Sequence, residues 1–217
     1  MAIKLTNIVI VGAGGHAKVV ADALVTHPKN GLDYTVVGYV DDDPAKAGQV
    51  LEGRPVLGPV SELERLKDEK PDIALIVAIG DNETRRSVFE DLSARGFSFT
   101  NAVHRRAIVA DTVKLGRGVL VTAGVVINTG TAIGDNVILN TGCTVDHDCE
   151  IGAHVHVAPG ANVCGTVTIG AGTMIGVGAC VIPNLTVGEN VLVAAGAAVA
   201  KDLPSGARVG GVPAKEL

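Results

Sequence analysis

The segment VVINTGTAIGDNVILNTG, residues 125–142, repeats with a period of six, and this period decides the fold of the second half of the chain. Written in sixes, residues 107–202 give AIVADT VKLGRG VLVTAG VVINTG TAIGDN VILNTG CTVDHD CEIGAH VHVAPG ANVCGT VTIGAG TMIGVG ACVIPN LTVGEN VLVAAG AAVAKD. The third place of all sixteen hexads is Val, Leu or Ile, from Val109 to Val199. The first place is always small or aliphatic, so the repeat is unbroken.

A period of six with one obligatory aliphatic residue predicts a triangular parallel β-solenoid. Each hexad supplies a short strand and a corner, and three hexads close one coil of 18 residues. A β-sandwich would instead alternate with a period of two, with turn signals every ~8–12 residues. The last 118 residues, from Thr100 to Leu217, contain no aromatic residue. This fits a narrow interior filled by Val, Ile and Leu.

The first half alternates segments typical of strands and helices. NIVIVG is predicted as a buried strand, GHAKVVADALVTH as an amphipathic helix, YTVVGYVDDD as a second strand and DIALIVAIG as a third. SELERLKDE is predicted to open with a capping box formed by Ser61 and Glu64, and NETRRSVFEDLSARG to be a helix closed by Gly96. This order predicts an α/β Rossmann-like domain with a parallel sheet. We expect domains at residues 1–104 and 105–217.

Composition restricts the class of protein. The 217 residues are 47% hydrophobic with a formal net charge of -5, which is typical of a globular protein and argues against nucleic acid as a partner. No apolar run resembles a signal h-region or approaches ~20 residues, so we expect a cytoplasmic protein without a membrane partner. The four cysteines have no C-x-x-C spacing and indicate neither disulfides nor a zinc cluster.

The motif VGAGGHAKVV, residues 11–20, places glycines at a predicted strand-to-helix junction. Gly12, Gly14 and Ala17, followed by acids at residues 41–43, form a dinucleotide-type fingerprint. Free backbone N–H groups at a helix N-terminus suit any pyrophosphate, so the ligand could be NAD or a nucleotide-sugar. The other interpretation is that the glycines only allow the helix to pack closely on the strand.

Three motifs together carry a resemblance to a known family. VGAGGHAKVV at the head of a small α/β domain, VDHD within the solenoid and the final VGGVPAKEL resemble the PglD/NeuD family of bacterial sugar acyltransferases over essentially the whole chain. The resemblance implies a left-handed β-helix, an N-terminal domain that binds a nucleotide-activated amino sugar, and a solenoid that uses acetyl-CoA to acetylate the sugar amine. It also implies a homotrimer with acetyl-CoA in clefts between subunits.

The resemblance also assigns site residues. It implies that His147, which lies between two acids, is the general base, with Asp148 as its partner; Asp146 is an equally near acid. It implies contacts to acetyl-CoA from His156, from the backbone amide of Gly165 and from the Gly-x-Pro-Ala-Lys ending, of which Gly211, Pro213 and Lys215 are members. The expected nucleotide-sugar contacts are Gly12, Gly14, Gly15, His16, Lys18, Asp41 and Asp42.

The remaining histidines and cysteines have simpler interpretations. None of His147, His154 and His156 occupies an aliphatic third place, so we expect them to point outward or to lie at corners, His154 with a local hydrogen bond. Their separations of seven and two residues disfavour a zinc site, and no metal is expected. Cys143 and Cys149 occupy first places, which predicts a role in the core rather than as nucleophiles.

Four functions are compatible with these features. The leading hypothesis is acetyl-CoA-dependent N-acetylation of a nucleotide-linked 4-amino-6-deoxy sugar, with a UDP, GDP or dTDP group. The alternatives are sugar O-acetylation of the sialic-acid type, a non-catalytic nucleotide-binding trimer, and an NAD-dependent enzyme. A covalent acyl-cysteine is unnecessary, because a thioester already activates the acetyl group for direct attack.

Overall fold

The computed structural model describes residues 6–26 and 34–217. The chain divides into two compact units, Met1–Arg105 and Arg106–Leu217. The first is an α/β unit and the second is a β-solenoid, so the predicted fold class is confirmed.

The α/β unit is built on a four-stranded parallel sheet. In chain order its elements are β1 (Thr6–Val11), α1 (Gly15–Thr26), β2 (Tyr34–Val40), a 3-10 turn (Pro44–Lys46), β3 (Val50–Leu51), β4 (Arg54–Pro55), α2 (Glu62–Glu69), β5 (Ala74–Val77), α3 (Asn82–Ala94), β6 (Ser98–Phe99) and β7 (Ala102–Val103). The sheet order is β2-β1-β5-β6. The chain therefore leaves β1 in one direction for β2 and later returns to its other side for β5.

The core of this unit explains why these segments form strands and helices. β1 and β5 are buried on both faces, as continuous aliphatic runs in parallel sheets are. Leu63 and Leu66 of α2 and Phe89 and Leu92 of α3 pack against this sheet, at the helical spacing of three residues. His27, at the predicted end of the first helix, lies outside the described residues.

The predicted capping box at Ser61 is wrong. Ser61 precedes α2 in an αR conformation with φ -61° and ψ -21°, and its side chain makes no capping hydrogen bond. The N–H groups of Glu62, Leu63 and Glu64 instead donate to the carbonyls of Pro59, Val60 and Ser61. Because a preceding turn satisfies these amides, the serine hydroxyl is not needed there. The β3–β4 hairpin was also not predicted.

The solenoid has the predicted 18-residue coil. Paired strands are offset by 18 residues, as in Leu120 with Ile138 and Val126 with Thr144. One sheet contains Leu120–Val121, Ile138–Leu139, His156–Val157, Met174–Ile175, Leu192–Val193, Arg208–Gly210 and Lys215–Glu216. The second contains Ile108–Val109, Val126–Ile127, Thr144–Val145, Asn162–Val163, Cys180–Val181 and Ala198–Val199, and the third Lys114–Leu115, Ala132–Ile133, Glu150–Ile151, Thr168–Ile169 and Thr186–Val187.

The place within a hexad determines burial. Third-place side chains from Val121 to Val199 are buried, and so are most first-place side chains from Val119 onward. Places four to six form the corners between sheets. Most corners end in a residue with positive φ. At many corners this residue is Gly, and at others it is a non-glycine residue such as Asp148 or Asn190.

Candidate functional site

The glycine loop lies where the sheet order reverses. It follows β1, which lies between β2 on one side and β5 on the other, so that the chain builds the sheet outward from β1 on both sides. Ligands of open α/β sheets bind at such a point. Gly12 has φ +104°, and a Cβ there would lie 3.0 Å from the Ala78 carbonyl oxygen. Only glycine fits, because both the backbone conformation and the neighbouring strand end exclude a side chain.

The acids after β2 hold this loop. Asp41 Oδ2 accepts from the Ala13 N–H at 2.7 Å and from Lys46 Nζ at 2.8 Å, and Asp41 Oδ1 accepts from the Asp43 N–H at 3.0 Å. Burial alone would raise the pKa of Asp41, but these hydrogen bonds outweigh it and hold the pKa below its usual value. Asp42 Oδ1 accepts from the Val60 N–H at 2.8 Å. Asp41 therefore fixes the glycine turn, and Asp42 fixes the segment before α2.

The start of α1 is open. A Cβ at Gly14 or Gly15 would meet no atom within 4 Å, and Lys18 is exposed. His16 is half-buried, and within the described residues its Nε2 atom is buried without a hydrogen-bond partner. Burial, together with the positive charge of Arg85, lowers the pKa of His16, so this ring is neutral near pH 7. The helix start offers backbone N–H groups and a neutral imidazole.

Arg85 is a feature of this region that the sequence did not reveal. This side chain of α3 has no exposed surface, and its Nη1 atom lies 3.4 Å from the Ile79 carbonyl oxygen and 3.5 Å from that of Gly80. Burial lowers its pKa to about 10. It sits beneath the loop that follows β5. An arginine in NETRRSVFEDLSARG looks like any other helical surface charge, so no local pattern could identify it.

His147 lies at a solenoid corner and is oriented by one of its two flanking acids. Its Nδ1 atom is 2.9 Å from Asp148 Oδ2. Asp146 plays a different part, because its Oδ1 atom accepts from the His147 backbone N–H at 2.8 Å and from Asn128 Nδ2 at 2.7 Å. Asp148 thus contacts the ring while Asp146 fixes the backbone. The alternative that Asp146 contacts the ring does not occur in this structure.

The contact with Asp148 decides the proton positions on the ring. An ionised carboxylate only accepts hydrogen bonds, so His147 Nδ1 carries the proton and Nε2 keeps its lone pair. The hydrogen bond to Asp148 raises the pKa of His147 above its ordinary value, and the negative charges of both flanking acids add to this effect. The side chain is about half exposed. Nε2 is therefore available as a base once the ring is neutral.

Two glycines on the adjacent coils make room for this pair. A Cβ at Gly165 would lie 2.6 Å from His147 Nε2, and a Cβ at Gly130 would overlap Asp148 Oδ1. The imidazole therefore rests directly on the backbone of Gly165. The Gly165 N–H donates to no acceptor within the described residues. The Nε2 atom of His147 thus lies against the backbone of Gly165 at this corner.

His154 and His156 differ from His147 and from part of the prediction. His154 is at a corner with φ +62° and hydrogen-bonds Asn136 Nδ2 through Nδ1 at 2.9 Å, as predicted, but it is buried rather than outward. His156 is in a strand, is only 7% exposed and has Nε2 3.2 Å from Asn140 Nδ2. The predicted corner position with a local hydrogen bond is therefore confirmed for His154. His156 does not lie at a corner, and its ring is enclosed, with Asn140 beside Nε2.

The cysteines and the C-terminal motif have ordinary surroundings. Cys143 and Cys149 are fully buried as predicted, and burial raises the pKa of Cys143 to about 12. Gly211 has φ +87° in the turn before Lys215–Glu216, with its carbonyl accepting from Ala198 N–H; Pro213 and Lys215 are exposed. Across residues 6–26 and 34–217, no three His, Cys, Asp or Glu side chains form a potential metal-binding group.

Relatives of known structure span the whole chain. The acetyltransferase domain of PglB from Neisseria gonorrhoeae, solved in complex with acetyl coenzyme A, is 38% identical with a TM-score of 0.90, covering 99% of this chain and 100% of that one. PerB from Caulobacter crescentus, solved with CoA and GDP-perosamine, is 42% identical with a TM-score of 0.87, covering 97% of each chain. These two likenesses include both units.

Sequence relatives agree with the structural ones. A family model described as the PglD N-terminal domain matches residues 7–92. The UDP-N-acetylbacillosamine N-acetyltransferase of Bacillus subtilis is 33% identical over 121 residues, which is 55% of this chain; the match spans about half the length of that curated relative. In the described part of the chain, no helix has the length and apolar character needed to cross a membrane.

Proposed function

This chain belongs to the PglD/NeuD family of bacterial sugar acyltransferases, and from that premise we propose that it transfers an acetyl group from acetyl-CoA to the amine of a nucleotide-linked amino sugar. The predicted family is thereby confirmed. The glycine loop of the α/β unit binds the nucleotide diphosphate, and the His147 corner carries out the transfer.

One observation carries the proposal. His147 Nε2 is unprotonated when the ring is neutral, because Nδ1 donates to Asp148 at 2.9 Å, and it lies against the backbone of Gly165, whose N–H donates to no acceptor among the described residues. A base next to a hydrogen-bond donor is what acyl transfer requires, since a proton leaves the nucleophile while negative charge develops on the carbonyl oxygen.

The chemistry follows from these two groups. The nitrogen of the sugar amine forms a bond to the acetyl carbon, and His147 Nε2 takes a proton from that nitrogen. Gly165 N–H donates to the carbonyl oxygen of the tetrahedral intermediate; one such donor typically lowers the barrier by ~3 kcal/mol. The imidazolium, stabilised by Asp148, then gives its proton to the sulfur as the carbon–sulfur bond breaks. The products are the acetamido sugar and free CoA thiol.

The substrate class rests on the loop and on the relatives. Backbone N–H groups at the start of α1 suit a pyrophosphate, and Gly14 and Gly15 leave the space in front of them open. PerB was solved with GDP-perosamine and CoA, which supports an amine acceptor rather than the hydroxyl of the sialic-acid type. We propose a 4-amino-6-deoxy sugar linked to UDP, GDP or dTDP.

The positions of the two histidines support an assembly in which neighbouring subunits share a site. His147 is at the corner between the second and third sheets, whereas His156, half a coil further along the chain, belongs to the first sheet on the opposite side of the solenoid. In an assembly, His147 of one protomer and His156 of its neighbour can border the same acetyl-CoA. In line with what the family resemblance implies, we propose a homotrimer with acetyl-CoA between subunits, working in the cytoplasm.

The test is release of CoA thiol with acetyl-CoA and a panel of UDP-, GDP- and dTDP-linked 4-amino-6-deoxy sugars. We expect turnover with at least one amino sugar and none with the matching 4-hydroxy sugar. Turnover with the 4-hydroxy sugar or with sialic acid would show that the enzyme acetylates a hydroxyl group, and the proposed N-acetylation would be wrong. No turnover with any acceptor, together with binding of the nucleotide-sugars, would favour a non-catalytic binding protein.

A further inference from the structure

Thr131 is a polar residue at a first place of the repeat, where most hexads carry an aliphatic or small apolar residue. Its side chain is buried, with 1% of its surface exposed. It lies one coil before the His147 corner, in the column that continues to Cys149. A buried hydroxyl needs hydrogen-bond partners, and the partners of this one surround the proposed catalytic residue.

The Thr131 hydroxyl joins the two ends of the His147 corner. Thr131 Oγ1 donates to the Asp146 carbonyl at 2.7 Å and accepts from the Cys149 N–H at 3.1 Å. At several other corners these two backbone groups bond directly, as Cys143 N–H does to the Asn140 carbonyl at 3.0 Å and, between the same two sheets as the His147 corner, Val113 N–H does to the Ala110 carbonyl at 3.1 Å. The hydroxyl therefore stands between groups that would otherwise close on each other, and it holds this corner wide.

The solenoid contains a second corner of the same construction. Thr173 Oγ1 donates to the Gly188 carbonyl at 2.8 Å and accepts from the Val191 N–H at 3.0 Å. Both corners also place a carbonyl-bearing side chain in a positive-φ sixth place, Asp148 in one and Asn190 in the other. In the second corner Glu189 occupies the place of His147, so the same backbone device occurs without an imidazole.

We propose that Thr131 is a positioning residue for His147: by bridging Asp146 and Cys149 it fixes the corner on which the imidazole sits. This inference rests on the proposed function of His147. Without the hydroxyl, the Asp146 carbonyl and the Cys149 N–H can bond directly, which narrows the corner and moves the ring away from its place over Gly165. Near-attack geometry is lost with displacements of about 1 Å, so the catalytic step is the part affected.

The experiment compares Thr131→Val with Thr173→Val and Thr131→Ser in the full chain. Thr→Val keeps the shape and removes the hydroxyl, so both valine variants should lose similar thermal stability. We expect Thr131→Val to lower kcat by roughly 10- to 100-fold with KM for both substrates nearly unchanged. Thr173→Val should keep kcat within about 2-fold, and Thr131→Ser, which retains the hydroxyl, should keep most of it. Equal kcat losses in the two valine variants would overturn the proposal.

A second readout does not depend on turnover. Side-chain ¹⁵N NMR of His147, assigned by its loss in His147→Ala, reports which ring nitrogen carries the proton. Thr131→Val should weaken the preference for the Nδ1-protonated form, and Thr173→Val should leave it unchanged. An unchanged His147 spectrum in Thr131→Val would overturn the coupling. An inactive wild-type protein with a changed spectrum would instead refute the proposed function while keeping the structural link.

Discussion

The two units of this chain place their functional groups in different ways. In the solenoid, a residue's place in the hexad determines whether it faces the interior or a corner, and the proposed base, His147, lies at a corner. In the α/β unit, partners come from distant parts of the sequence, as when Asp41 reaches the Ala13 N–H 28 residues away. In a periodic fold, candidate functional residues can be located from their places in the repeat. In an α/β unit, many of them depend on contacts between distant segments that no local pattern shows.

The largest expected effects come from disabling each unit separately. His147→Ala should lower kcat by ~10²–10⁴-fold, because general-base assistance is lost, while nucleotide-sugar affinity is kept.

Gly14→Val should abolish nucleotide-sugar binding, because the side chain blocks approach to the helix start, while acetyl-CoA affinity is kept. A Cβ at Gly14 would meet no atom within 4 Å, so we expect the valine variant to keep its fold. Calorimetry with each ligand, beside steady-state kinetics, measures both effects.

Measuring both ligands with both variants identifies which unit binds which ligand. If Gly14→Val weakens acetyl-CoA binding and spares the nucleotide-sugar, the assignment of ligands to the units is reversed. If His147→Ala raises KM with kcat unchanged, His147 only binds and another group is the base. Partial recovery of His147→Ala at high pH, where more of the sugar amine is unprotonated, would support its role as the base.

A smaller effect on kcat is expected from adding a side chain at Gly165, the glycine on which the His147 ring rests. Gly165→Ala should lower kcat by roughly 10-fold, because a Cβ would lie 2.6 Å from His147 Nε2 and the ring must move. Ala123, Ala153 and Ala171 occupy the same fifth place in other hexads, so the corner backbone accepts alanine. Circular dichroism should show unchanged folding.

The double variant separates positioning from other effects of Gly165→Ala. In a His147→Ala background, Gly165→Ala should cause no further loss, because the group it displaces is gone and the backbone N–H remains. An additive loss would mean that the alanine obstructs the substrate directly instead of moving the imidazole.

The pH profile tests the contact between His147 and Asp148. The base acts when unprotonated, so kcat/KM should fall as pH drops through the His147 pKa, which lies above its ordinary value mainly because of the hydrogen bond to Asp148. Asp148→Asn removes that stabilisation of the imidazolium, lowers the pKa and moves the acidic limb to lower pH, with a smaller maximal rate. Glu189→Gln, a carboxylate-to-amide change at the corner bridged by Thr173, should leave the limb in place. A limb that stays fixed in Asp148→Asn would assign it to another group.

The fold was predictable because its signals are local and repeated. Hexad places gave the strands, the coil length and the buried Cys143 and Cys149, and VDHD could be placed at a corner. Thr131 was not distinguished, because a threonine satisfies a rule that asks only for a small or aliphatic residue. His156 shows the same limit: its place in the repeat indicated an outward ring, but the rule could not foresee its enclosure, where Asn140 lies 3.2 Å from its Nε2 atom.

The α/β unit was predictable as elements and not as contacts. Strand and helix patterns located its sheet, but the burial of Arg85 and the closure of Asp41 onto the glycine loop depend on how separate elements pack. Ser61 and Asp81 illustrate the difference at two helix starts. Both residues belong to the types that favour N-caps, and only the structure tells which of them acts as one.

The smallest expected effect separates these two helix starts. Asp81 accepts from the Thr84 N–H at 2.9 Å and caps α3, whereas the Ser61 side chain caps nothing. Asp81→Ala should lower the free energy of unfolding of the α/β unit by ~1 kcal/mol, and Ser61→Ala should change it by no more than a few tenths. The chain has no tryptophan, and its two tyrosines, Tyr34 and Tyr39, both lie in this unit. Tyrosine fluorescence during urea unfolding therefore follows the α/β unit alone, and equal losses in the two variants would mean that the Ser61 hydroxyl caps α2 in solution.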